Sequence, residues 1–378
     1  MHARRYSGIA GLKALCEAWK SLHPDAGLFA RYEWHEALAT HLLDEKSSLD
    51  YIHIFDGPHT IAIVPMLSSV AQVPPFGDLR VLNFGLHSHL SLTDFPLASD
   101  THIDIVATLL LKELKAWPTP WEGILWPRIL ASSNVMKLAR AIGGVRVHAS
   151  SASPCDMLAT NLAFSDFLSG LTSNTRKNLR RRTKRAEELG SLHWYHNKFP
   201  KRVSDSHFQK ERFTEENGIT AAYDAFLALE ASGWKGTTGT RSAIALNPRT
   251  LAFYADLLSR NTEGFKLEID LLTLDEKPIA GQFSVVVNRC KYLWKIGYNE
   301  EESAIAPGQL LMARLIKEAC DRCIDRLNFI TSTQANQAWR PDTEATFAVI
   351  VFRTYLRTLI YGAYRTLRRT LNNLRRRH

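Results

Sequence analysis

The run CKYLWKIGYNEEESAIAPGQLLMARLIKEAC, residues 290–320, decides how the chain is read. Lys291 to Tyr298 is rich in aromatic and aliphatic residues and predicts a strand. Gly297-Tyr298-Asn299 closes it, Glu300 to Ala306 form a polar loop, and Pro307-Gly308-Gln309-Leu310-Leu311 open a helix expected to reach Cys323. A strand that ends at a glycine-opened helix exposes backbone N–H groups with the helix dipole behind them, a physical site for a pyrophosphate. The same residues also suit an ordinary loop-to-helix junction, where proline in the first turn loses nothing by lacking an N–H.

Upstream of this run, Leu267 to Leu274 and Pro278 to Val287 have strand propensity and short polar connections, so with Lys291 to Tyr298 they predict an antiparallel meander. Before the meander the spacing predicts helices at Phe164 to Leu168, Asn174 to Leu189, Ala221 to Ala231 and Arg249 to Ser259. After it come strands at Arg326 to Ile330 and Phe347 to Phe352. The first part of the chain follows a similar plan on a smaller scale. Helices are expected at Leu12 to Ser21, Glu33 to Leu43 and Thr101 to Trp117, and a strand at Trp121 to Trp126. A hairpin joins Tyr51 to Phe55 with Thr60 to Leu67 through Asp56-Gly57-Pro58-His59. Phe55-Asp56-Gly57 with Ile61-Ala62 is echoed by Leu274-Asp275-Glu276 with Ile279-Ala280, as in a duplication. The fold class expected is α/β (α+β), with two related halves and mixed, largely antiparallel sheets.

With 378 residues the chain is long enough for two well-buried cores. Its apolar runs fall short of the roughly 18 to 20 residues needed to cross a bilayer. The start lacks the continuous apolar stretch of a secretory signal, so a cytoplasmic location is expected. Five cysteines, at 16, 155, 290, 320 and 323, suggest reduced thiols. Cys320 and Cys323 form a C-x2-C without a second ligand pair, and no metal is expected. The net charge of +9 is concentrated in two places. Arg176 to Arg185 (RKNLRRRTKR) holds seven basic residues, and from Ala345 onward there are eight arginines, with no acid in either stretch. The remainder is net acidic. Taken as a helix, the tail 353–378 sets Leu356, Ile360, Ala363, Leu367, Leu371 and Leu374 on one face and gathers arginines opposite, which suits an anionic membrane surface at the inner face of the membrane, an acidic partner, or packing against the body.

Several blocks in order resemble the CelD/BcsL-type GNAT acyltransferases: Ser173-Asn174-Thr175-Arg176-Lys177-Asn178-Leu179-Arg180-Arg181, Gly233-Trp234-Lys235, the Leu274 to Ala280 hairpin, Tyr292 to Tyr298, Ala306 to Leu311, and Trp339. Leu28-Phe29, Glu33-Trp34, Ile63 to Met66 and Asp94-Phe95-Pro96 extend the likeness over about residues 10 to 350. The family is related in fold to the Fem-type aminoacyl-tRNA-dependent transferases, which carry two GNAT units. The resemblance implies tandem GNAT-like domains at 1–153 and 154–352, followed by the basic helix 353–378. It further implies acyl-CoA (acetyl-CoA or longer) as co-substrate, held by Ala306, Pro307, Gly308, Gln309, Leu310 and Leu311. Arg176, with Lys177, Arg180 and Arg181, lies at a helix start at helical spacing and suits phosphates of CoA, nucleic acid or lipid, or else is a solvated face. Of the usual GNAT glycine pattern only the middle glycine is kept, and Asn336-Gln337 stand where relatives have Tyr-Lys.

Acyl transfer to an amine needs a base for the ammonium proton, an N–H for the oxyanion and an acid for the thiolate. Tyr298 is a candidate acid, or else packs with Tyr292, Trp294 and Ile296. Glu268 and Asp270, on one face of a half-buried strand, are candidate bases with raised pKa, or else a solvated face. Trp234, Lys235, Lys295, Asn336 and Trp339 are expected to bind the acceptor, as are His87, His89 and Asp94, with Lys235 and Lys295 otherwise surface charges. The expected function is acyl-CoA-dependent N-acyl transfer to a small-molecule or glycan amine, in envelope polysaccharide or lipid synthesis. The alternatives are a Fem-like enzyme whose basic helix holds tRNA, and an inactive membrane-associated scaffold.

Overall fold

The computed structural model describes residues 1–43, 49–84, 89, 91–142, 146–199, 215–262 and 264–375. It divides into two units, Met1–Cys155 with Glu344–His378, and Asp156–Thr343.

The first unit runs β1 (His2–Ser7), α1 (Gly8–Ala14), α2 (Cys16–Lys20), α3 (Tyr32–Ala37), β2 (Leu49–Asp56), β3 (His59–Val73), β4 (Gly77–Asn83), α4 (Ile103–Lys115), β5 (Gly123–Leu130), α5 (Asn134–Ile142) and β6 (Val147–Ser151). The second begins with β7 (Cys155–Ala159), α6 (Phe164–Gly170), α7 (Ser173–Leu189), β8 (Leu192–His196), α8 (Glu215–Ser232) and α9 (Pro248–Ser259). The meander β9 (Phe265–Leu274), β10 (Lys277–Val287) and β11 (Cys290–Tyr298) follows, then α10 (Pro307–Asp321), β12 (Arg326–Asn328) and β13 (Asp342–Glu344). The chain then returns to the first unit as β14 (Thr346–Phe352) and α11 (Tyr355–Arg375).

This return corrects the expected boundary at residue 352. β14 lies between β5 and β6 in the seven-stranded order β1-β2-β3-β4-β5-β14-β6 and pairs antiparallel with both neighbours. Val349 and Val351 are buried in the same core as Trp126 and Leu138. A strand with both edges paired and one face in a core has no alternative position of comparable stability, so β14 is part of the first sheet.

The second sheet has the order β13-β7-β12-β11-β10-β9-β8. Its meander forms because two-residue turns close both hairpins. Asp275 and Glu276 have φ of 47° and 64°, and Asn288 and Arg289 have 48° and 58°. Such paired left-handed residues match the twist of adjoining strands. Over one face lies α10, whose Leu310, Leu311, Leu315 and Ile316 are buried with Leu272, Ile279 and Leu293. Each such side chain contributes about 1.5–3 kcal/mol of burial, enough to fix α10 on the sheet.

Candidate active site

Two irregularities in β11 prepare the site. β12 runs parallel to β11 over Cys290–Tyr292 and ends there, so the rest of β11, to Tyr298, has no register partner on that edge among the described residues. On its other edge the register with β10 skips Trp294, because Ser284 faces Leu293 and Phe283 faces Lys295. A bulge of this kind turns the strand and re-aims side chains beyond it. The single-face packing expected for Tyr292, Trp294, Ile296 and Tyr298 is therefore broken. Trp294 packs on Tyr254 and Phe253, while Ile296 and Tyr298 are exposed at the strand's end.

A short 3-10 turn carries the chain from β11 to Ala306, which caps α10 at φ 49°, ψ 64°. A left-handed alanine stores about 1–3 kcal/mol, a strain found where a site over-determines the backbone. Gln309 N–H donates to the Ala306 carbonyl at 2.9 Å, and Pro307 has no N–H. A Cβ built on Gly308 meets only Ile296 Cδ1, at 3.9 Å, so the space before the turn is open. Of the residues expected at the phosphates, Pro307, Leu310 and Leu311 are buried, and Gln309 is the one that lines a cavity.

A cleft of about 310 Å³ adjoins this helix start. Asn178 and Arg182 of α7 form one wall, Gln309 of α10 another, and Gln334 and Trp339 a third. Gln309 Nε2 donates to the Ala335 carbonyl at 3.2 Å, tying the helix start to the third wall. The buried Trp339 Nε1 has no acceptor among the described residues. A guanidinium and several side-chain amides beside the first turn of a helix fit a ligand rich in phosphate and carbonyl oxygens. Arg182, Asn178 and Gln334 were missed in the sequence. The helical spacing from Asn174 to Arg182 was the available signal, but it could not say which face of α7 turns inward. Arg176 does not face a ligand: its guanidinium donates to the Leu168, Ser169 and Leu171 carbonyls and closes the end of α6.

Beneath the C-terminal half of α10 lies a buried ionic network. Lys291 Nζ is 2.9 Å from Glu268 Oε2, Asp270 Oδ2 and Glu318 Oε2. His196 Nδ1 lies 2.9 Å from Asp270 Oδ1, and Arg322 pairs with Glu268 and Glu318. Burial alone would raise the Glu268 and Asp270 pKa values, but Lys291, with Arg322 beside Glu268 and His196 beside Asp270, holds both below the ordinary carboxylate range. This corrects the expectation of a raised-pKa base on β9: both groups stay ionised and clamped. His196, Glu268, Asp270 and Glu318 have the composition of a metal site, but the Lys291 ammonium already contacts the three carboxylates. Burial lowers the affinity of His196 for its proton, yet the Asp270 hydrogen bond and the three carboxylate charges leave its pKa raised.

On the opposite face, α8 brings a second cluster to β11. The buried Glu230 accepts from Lys235 Nζ at 2.9 Å and from the Ile244 N–H at 2.9 Å, and Lys235 Nζ also donates to the Ile296 carbonyl at 2.7 Å. Trp234 beside it is half exposed. Lys295, one residue beyond the bulge, has its ammonium 5.9 Å from the Tyr254 ring centroid. Burial, reinforced by the Lys235 charge, lowers its pKa to about 8. Lys235 and Lys295 are thus not the surface charges that sequence alone allowed.

The remaining expected residues are placed elsewhere. Asn336 Nδ2 donates to Asp156 Oδ2 at 3.1 Å and anchors its turn instead of facing the cleft. Asp94, in the first unit, accepts from the Phe95 and Val135 N–H groups at 3.0 and 3.2 Å and caps α5. Burial raises its pKa to about 6 against those hydrogen bonds. It is a structural carboxyl, not part of an acceptor site. His89 is partly buried in a turn, and His87 lies outside the described residues.

Residues 173–339, which contain every wall of the cleft and both clusters, match the acetyltransferase (GNAT) domain family. No curated protein matches the chain. Among solved structures, FemX superimposes with a TM-score of 0.53 at 12% identity, over 89% of this chain and 95% of its own. A conserved protein from Bacteroides thetaiotaomicron gives 0.53 at 13%, over 89% and 97%. The C-terminal domain (DUF2156) of a protein assigned as a lysylphosphatidylglycerol synthetase, from Agrobacterium fabrum, gives 0.51 at 10%, over 94% and 96%. At these identities the likeness is one of fold. The more specific CelD/BcsL resemblance has no counterpart among these matches.

Proposed function

We propose that the second unit is an N-acyltransferase that takes its acyl group from a coenzyme A thioester and delivers it to an amine. The observation that carries this reading is the cleft beside the start of α10, where Asn178, Arg182, Gln309 and Trp339 converge within the GNAT-matching segment. The pyrophosphate is assigned to the Ala306–Gln309 turn and the thioester to the unpartnered stretch of β11 beside the bulge. There a backbone N–H holds the oxyanion as the amine attacks the carbonyl carbon. As the C–N bond forms and the C–S bond breaks, the ammonium proton passes to a base and the thiolate gains one. Lys295, about half of it in the neutral form at pH 8, is assigned as the base and Tyr298, exposed at the strand's end, as the acid. Trp234 and Lys235 border the acceptor side.

The exposed Lys177, Arg180, Arg181, Lys184 and Arg185 of α7 favour a second reading, in which the donor is an aminoacyl-tRNA and these charges hold its phosphates. Calorimetry of the full chain with acetyl-CoA separates the two. Saturable binding that weakens at least about tenfold in Gly308→Val supports the first. No binding by the folded protein removes coenzyme A from this site.

A further inference from the structure

α11 carries an apolar face that nothing among the described residues covers. One side of the helix is held to the first unit: Arg357 pairs with Glu122, Arg365 donates to the Ala149 carbonyl at 2.9 Å, and Thr358 is buried, its carbonyl 3.1 Å from His148 Nε2. Tyr361 packs edge-on against Phe352 and His148, with centroids 5.1 and 5.0 Å apart. The other side holds Leu356, Ile360, Leu367 and Leu371 at helical spacing, joined by Leu359 near the helix start. Leu356 is 67% exposed, Leu367 61% and Leu371 50%. An exposed leucine is ordinary, but a stripe of them on one face of a four-turn stretch marks an interaction surface.

We infer that α11 is a docking helix that lays this outer face into an anionic lipid surface. Charge selects this occupant over a second copy of the chain. The segment after Glu344 contains eight arginines and no acid, so two such faces brought together would repel. Arg357 is neutralised by Glu122, whereas Arg368 and Arg369 are exposed, and three more arginines follow in the sequence at 375–377. Arginines of this length lie along the flanks of an apolar stripe and place their heads at the level of lipid phosphates. No helix among the described residues is long and apolar enough to cross a membrane. α11, fixed along one side to a folded unit, is built to lie in the interface plane.

The test uses the full chain and sedimentation with vesicles. Vesicles containing phosphatidylglycerol should carry the protein down at low salt and release it as salt rises, and vesicles of phosphatidylcholine alone should leave it in the supernatant. Leu367→Glu/Leu371→Glu touches none of the contacts that hold α11 to the first unit. It should keep the wild-type melting temperature and lose at least about tenfold in vesicle partitioning. No sedimentation of the folded wild type at low salt overturns the proposal. So does undiminished binding by the double variant, which would assign the attraction to diffuse charge. Concentration-dependent dimerisation abolished by the double variant, without vesicle binding, would show that a second copy covers the face.

Discussion

Gly308 is where ligand binding and folding separate most cleanly. A Cβ there meets only Ile296, and valine is no worse than glycine inside a helix, so Gly308→Val should fold normally while its side chain enters the space before the turn. Lys295 offers a kinetic test. If its neutral amine takes the acceptor's proton, the acyl-transfer rate should rise with pH through about 8, and Lys295→Met should lose that rise along with at least about a hundredfold of rate. A pH profile retained in the variant would return Lys295 to a packing role. Lys291 is structural: Lys291→Met removes the one ammonium shared by three buried carboxylates, leaving them to Arg322 and His196 at the edge of the network, and should cost about 3–5 kcal/mol, read by denaturant unfolding. The network also has a pH signature. Glu268 and Asp270 have folded pKa values below their unfolded values of about 4, so their contribution is present above that range and fades as pH falls through the depressed values. His196 has a raised pKa, so its contribution is complete below about 6.5 and fades as pH rises through the folded value. His196→Gln should therefore destabilise more at pH 5 than at pH 9. Equal effects would show that the imidazolium adds nothing.

Among the elements, the meander and α10 were legible because their residues obey one period each and their turns are short and polar. Leu310 and Leu311, expected at the phosphates, instead belong with Leu315 to the buried stripe of α10. β14 illustrates what was not legible. Thr346–Phe352 reads as a buried strand in any context, and only long-range pairing with β5 and β6 says which sheet receives it. The bulge at Trp294 was hidden for a related reason: a one-residue slip in register changes which side chains share a face but leaves composition untouched. The pairing of β14 predicts an asymmetry between truncations. A chain ended after Thr354 keeps the first sheet and should fold, melting a few degrees lower for want of the Tyr361 contacts. A chain ended after Glu344 removes the strand between β5 and β6 and should yield no cooperatively folded first unit, as judged by its thermal transition. Comparable melting of the two truncated chains would contradict that placement.

For the whole molecule, two sheets on a duplicated plan were foreseen from hairpin echoes, and the GNAT match falls on the second unit, where the cleft lies. The candidate site was only partly foreseen. Ala306 to Gln309 and Trp339 were named through the family resemblance, and Lys295 because a charged residue on a strand stands out. Arg182 could not be told from its six basic neighbours, nor could Glu268 and Asp270 be recognised as partners of Lys291, because those distinctions depend on facing elements far apart in sequence. The most direct test of an acyl thioester at this site is amide hydrogen exchange on the full chain with and without acetyl-CoA. The expected result is slowed exchange in peptides covering 174–182, 305–311 and 334–339, with the first unit unchanged. No slowing at 305–311 under saturating acetyl-CoA, or protection confined to the first unit, would contradict it.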